Sequence, residues 1–135
     1  MPIKYEFAPD LQVISREICE MLFPYVDMDR VRCFRSYGSS SSRTIARCHT
    51  LGKLMQLTIG VKAYYAMEFL VEKFERLSKE EQIKTIIHEI MHIPKAFGGG
   101  FRHHDHVTEK NVNLMFKTYI NKKEGRETVK KRWFG

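Results

Sequence analysis

Apolar residues recur along this chain with two different periods. Leu11, Ile14, Ile18, Met21 and Leu22 are spaced three and four apart, which predicts a helix over residues 9–23 that ends at Pro24. Residues 31–37 are rich in β-formers and bounded by Gly38, and residues 44–51 follow the run Ser39-Ser40-Ser41-Ser42. This reads as two strands joined by a serine-rich hairpin loop. Met55, Leu57, Ile59 and Val61 alternate with Gln56, Thr58 and Gly60, the pattern of a half-buried strand. Residues 64–70 fit a strand or a helix, their aromatic content favouring a strand, and 72–77 look like a short helical turn. Ile83, Ile86, Ile87, Ile90 and Met91 return to helical spacing, with Ser78 and Glu81 placed as a capping box and Pro94 as the stop. Val112, Met115, Phe116, Tyr119 and Ile120 predict a C-terminal helix that Thr108 could cap. Helices, a small antiparallel sheet and no internal repeat make an α+β layered domain.

The chemistry lies at the end of the third helical pattern, where residues 88–92 read His88-Glu89-Ile90-Met91-His92. Positions i and i+4 share one face of a helix, so both imidazoles can reach one metal ion. Glu89 is placed to take a proton from a metal-activated water. A hydrolytic site of this kind needs a third protein ligand and an open fourth position. His103-His104-Asp105-His106 supplies candidates, separated from the first pair by Gly98-Gly99-Gly100, whose backbone freedom allows a sharp return. His104, in the connection before the C-terminal helix, leads, His106 follows and His103 is third. Asp105 could orient a ligand imidazole from outside.

Residues 72–78, the stretch from His88 to Lys95 with its His-Ile-Pro-Lys segment, and Gly99-Gly100-Phe101-Arg102 resemble a family of small, mainly archaeal metallopeptidases. The resemblance covers roughly residues 64–120 and extends more distantly to the SprT-like zinc peptidases and the minimal zincin fold. It implies a third ligand that opens the following helix with an apolar residue three positions on, which His104 and Val107 satisfy. Three histidines stand where one is expected. It also implies a strand beside the metal helix that pairs with an extended substrate, either 55–61 or 64–70. Residues 1–120 would form the zincin-like metallopeptidase domain and 121–135 a basic tail.

With 135 residues the chain suits one domain with a single core, and 43% hydrophobic residues argue against disorder throughout. No apolar run is long enough to span a bilayer, and the first residues lack the apolar core of a signal peptide, so an intracellular, cytoplasmic protein without membrane partners is expected. Cys19, Cys33 and Cys48 form no Cys-x-x-Cys pair, so a zinc ribbon is not supported; Cys33 and Cys48 could face each other across the hairpin, with free thiols as the expected state. The net charge of +7 concentrates in residues 121–135, where Lys122, Lys123, Arg126, Lys130, Lys131 and Arg132 precede Trp133 and Phe134. A solvated, partly frayed tail is one reading, and contact with DNA or another polyanion is the other.

These features point to a zinc-dependent peptidase acting on peptide or protein substrates. One Zn²⁺ per chain would be held by His88, His92 and His104, with Glu89 as general base. Arg102, His103, His106, Tyr64 or Tyr65 could add an oxyanion donor. The alternatives are a non-catalytic zinc-stapled module that binds nucleic acid, and a SprT-like protease associated with DNA.

Overall fold

The structure is a computed structural model that describes residues 2–102 and 106–134. Four strands, β1 (Lys4–Phe7), β2 (Val31–Tyr37), β3 (Ala46–Thr50) and β4 (Tyr65–Leu70), form one sheet in the order β1-β2-β4-β3. Among the described residues five α-helices accompany it: α1 (Pro9–Leu22), α2 (Lys53–Ile59), α3 (Val71–Phe74), α4 (Lys79–Met91) and α5 (Glu109–Phe134). The architecture is α+β, as the periodicities predicted, but the sheet is mixed rather than antiparallel. β1 pairs antiparallel with β2, β4 parallel with β2, and β3 antiparallel with β4.

Insertion of β4 between β2 and β3 removes the expected hairpin. Cys33 and Cys48 both register with Met67, from opposite sides of β4. Two strand spacings separate them by about 10 Å, beyond the reach of a disulfide, and both are free thiols. The reason is legible in β4 itself. Tyr-Ala-Met-Glu-Phe-Leu is buried along nearly its whole length, as a central strand must be, whereas Ala46–Thr50 is only partly buried. Arg47 and His49 of β3 sit 3.7 and 2.8 Å from the buried carboxylate of Glu68 on the neighbouring strand.

The core is the cluster that includes Ile18, Val31, Met67, Phe69, Phe74, Ile87, Ile90 and Tyr119. α1 packs on β2, α4 on β3, and α5 on both helices. Pro9 starts α1, where its missing N–H is no loss. Gln12 then ties the helix to the part of β2 that β1 does not cover: its Nε2 donates to Val31 O at 2.7 Å and its Oε1 accepts from Cys33 N at 2.9 Å.

Residues 55–61, expected as a strand, belong instead to α2 and the turn after it. Gly60, at φ +81°, ends that helix in the left-handed conformation that glycine adopts without strain. The alternation of Met55, Leu57, Ile59 and Val61 misled because it assumed a buried face, and these residues are exposed. The Thr108 cap forms, its Oγ1 accepting from Asn111 N at 3.2 Å. α5 continues past Ile120 to Phe134, so the basic segment is helical within the described residues.

Candidate metal centre

α4 starts as the capping pattern requires, with the Ser78 hydroxyl accepting from Glu81 N at 3.2 Å. Ile86, Ile87, Ile90 and Met91 are buried, and this stripe holds the helix at a set rotation on β3. The rotation brings the ligand atoms of His88, Glu89 and His92 within 4.8 Å of one another. The two imidazole rings lie 5.1 Å apart at 69°.

His92 is oriented from behind. Its Nδ1–H donates to Arg102 O at 2.9 Å, and Arg102 N–H donates to His92 O at 2.7 Å. This assigns the tautomer, because a carbonyl only accepts. Nε2 then carries the lone pair that a metal needs. The donor set therefore fits a divalent transition metal held by His88 and His92, with Glu89 beside it.

The segment that supplies Arg102 is anchored at several points. Tyr65 Oη accepts from Gly99 N at 3.0 Å and donates to Gly100 O at 2.9 Å. Thr50 Oγ1 donates to Gly99 O at 2.8 Å, and Gln56 Nε2 donates to Gly98 O at 3.0 Å. Of the three glycines only Gly99 has a positive φ, +100°. A Cβ there would lie 2.7 Å from Leu51 O, so close approach as well as conformation requires glycine. Phe97 also takes a positive φ, 49°, a strain on the order of 1 kcal/mol. The Tyr65 ring at 5.1 Å and the Arg30 guanidinium at 4.7 Å hold it there.

Glu89 is 5% exposed, and burial pushes its carboxyl up to about 7. An acid poised near neutrality can both accept and return a proton. Cys48 on β3 is pushed up to about 12 by burial, by the charge of Glu89 and by Cys33, so it stays a neutral thiol. A cleft of about 510 Å³ opens in front of Glu89, lined by Thr44, Ala46, Thr85, His88 and Val112 among others.

β3 forms one wall of this site, and its ladder parity sets which groups face outward. Leu70 N–H donates to Ile45 O at 2.9 Å and Leu51 N–H to Tyr64 O at 3.0 Å. Residues 45, 47, 49 and 51 therefore bond to β4, while Ala46, Cys48 and Thr50 turn their N–H and C=O groups outward. Among the described residues no strand lies beyond β3. Neither expected pairing strand occupies this edge: 55–61 is largely helical and 64–70 is covered on both sides.

The expected trio of His88, Glu89 and His92 is thus brought together. His103, His104 and Asp105 lie outside the described residues. His106 does not join the trio; it lines a separate cavity with Met91, Lys95 and Arg102. Tyr65 Oη is committed to the glycine segment rather than to the cleft. Sequence reasoning missed the roles of Thr50, Gln56 and Tyr65 as anchors, because nothing local marks a side chain that binds a distant carbonyl.

Neither a curated protein nor a solved structure matches the chain. A family model described as "Putative phage metallopeptidase" matches residues 3–131, and the chain belongs to that family.

Proposed function

We propose that the protein is a zinc-dependent peptidase of zincin-like design, with His88, His92 and His104 as the metal ligands and Glu89 as general base. The observation that carries this reading is the clustered His88, Glu89 and His92, with His92 clamped by Arg102 one residue before the His103–His106 run. Among His103, His104 and His106, the spacing to Val107 favours His104 as the third ligand.

Bound zinc would supply Lewis acidity, lowering the pKa of a coordinated water to about 7 and polarising a peptide carbonyl. The chain does the rest. Ala46 and Cys48 offer outward backbone groups to an extended substrate, and main-chain pairing holds any sequence. The buried Glu89 carboxylate takes a proton from the attacking water and returns it to the leaving nitrogen. The apolar surroundings that raise its pKa also keep it from being solvated away from that task.

Zinc content and cleavage of an unfolded protein substrate, compared between wild type and Glu89→Gln, test the proposal. Both forms hold about one zinc, and kcat falls by roughly 10² to 10⁴ in the variant, the usual contribution of a general base. Wild-type turnover in Glu89→Gln would sink it. Zinc in both forms with cleavage in neither would favour the non-catalytic module.

α5 favours a second reading, in which the peptidase is brought to DNA. Lys122 and Lys123 still touch α1, through Met21 O and Glu17, but residues 124–133 are exposed. Arg126, Lys130, Lys131 and Arg132 there outnumber Glu124 and Glu127. DNA affinity that falls steeply with salt, and is lost in an Arg126→Glu/Lys130→Glu/Lys131→Glu variant, is the expected result. Affinity independent of those residues would remove this reading.

A further inference from the structure

α2 is built inside out. Its one buried residue is Gln56, 5% exposed, while Leu54 is 76%, Leu57 69%, Ile59 57% and Met55 49% exposed. Val61 in the following turn is also exposed. Scattered apolar residues on a surface need no explanation, but five exposed ones within eight positions concentrate apolar surface on one short helix and the turn after it, as binding surfaces do. No ionisable side chain lies between Lys53 and Lys62, so the patch itself offers nothing to a phosphate or a headgroup.

Its position says what could reach it. α2 begins three residues after the end of β3, behind Gly52. The bond from Gln56 to Leu51 O ties α2 to the Thr50 end of β3, the end beyond which a chain paired at Ala46 and Cys48 would continue. The placement is held: Gln56 Nε2 donates to Leu51 O at 2.8 Å and to Gly98 O at 3.0 Å, on the glycine segment whose Arg102 clamps His92. The patch therefore sits at a set place beside the end of β3 and the glycine segment.

We infer that α2 is a docking surface for an apolar stretch of the protein substrate, engaged by the same extended chain that pairs with β3. The inference rests on the peptidase reading and adds a substrate class: unfolded or exposed segments in which an aliphatic or aromatic cluster lies beside the bond that is cut. Folded proteins keep such clusters inside, so the surface discriminates in favour of unfolded chains.

Binding is measured so that turnover is not needed. Two fluorescent peptides share a polar segment; one carries an adjoining Leu-Val-Phe-Leu stretch and the other serines in its place. Their Kd values are compared on zinc-loaded Glu89→Gln, with and without Leu54→Ser/Leu57→Ser, and with Ile59→Ser as an independent variant. The apolar peptide binds about tenfold or more tightly than the serine peptide, and the substitutions erase most of that advantage while zinc content and circular dichroism stay unchanged. Equal affinity for the two peptides, or an advantage that survives both variants, overturns the inference. So does a dimer, or binding to anionic vesicles, that depends on Leu54 and Leu57, since each assigns the patch to another occupant. Cleavage by the wild type is scored separately, so failure of the peptidase reading is seen apart from failure of docking.

Discussion

Helices α4 and α2 are both rich in aliphatic residues and turn them in opposite directions. α4 buries Ile86, Ile87, Ile90 and Met91 and leaves His88 and His92 partly exposed, with His88 lining the cleft. α2 buries Gln56 and exposes Leu54, Met55, Leu57 and Ile59. In α4 the hydrophobic effect acts during folding, about 1.5–3 kcal/mol for each fully buried isoleucine, and that packing gives the histidines their rotation. In α2 the same driving force is left unspent and can act only on a partner. Apolar content alone does not distinguish the two uses; the position of the polar residues does.

The contrast breaks most sharply in paired truncations. Ile90→Ala removes a fully buried side chain and destabilises the protein by about 2–5 kcal/mol in urea unfolding. Leu57→Ala, on the exposed side of α2, stays within about 0.5 kcal/mol. A comparable loss at Leu57 would mean that α2 packs within the fold, and the docking surface would fall with it.

Glu89 sharpens the comparison from the polar side, because α4 buries an acid as α2 buries an amide. Its folded pKa, about 7, is raised above the unfolded value near 4.5. The folded state therefore holds more protons between those values, and metal-free protein loses stability as pH rises from about 4.5 to 7. The loss is complete above that window, with an upper bound of roughly 3 kcal/mol. Metal-free Glu89→Gln is expected to lack this decline and to melt above the wild type at pH 8. At pH 4 both side chains are neutral and the difference closes. Parallel stability curves for the two proteins would contradict the assigned burial effect.

Gln56→Ala tests the anchor of α2. It leaves Gly98 O and Leu51 O without this donor and costs about 1–3 kcal/mol, with weaker zinc retention because the same segment clamps His92. Zinc affinity unchanged on chelator titration would separate α2 from the metal centre. The smallest effect belongs to the start of α4: Ser78→Ala removes the cap on Glu81 N and lowers stability by about 1 kcal/mol in thermal unfolding. The zinc site should survive it.

The sequence by itself determined what depends on neighbours along the chain. The spacing of Leu11 to Leu22 and of Ile83 to Met91 specified α1 and α4, Ser78 marked a real cap, and a four-residue step was enough to bring His88 and His92 to one face. Such features repeat within one or two helical turns, so a local period reveals them. Tertiary structure alone decided the rest. Which strand fills the middle of the sheet is a contest between segments far apart, and it displaced the expected hairpin and made β3 the open edge. The orientation of His92 depends on Arg102 ten residues away, and that of the glycine segment on Thr50, Gln56 and Tyr65. The alternation at residues 55–61 shows the limit of pattern reading: a period tells which residues share a face, but only the rest of the fold determines whether anything covers it.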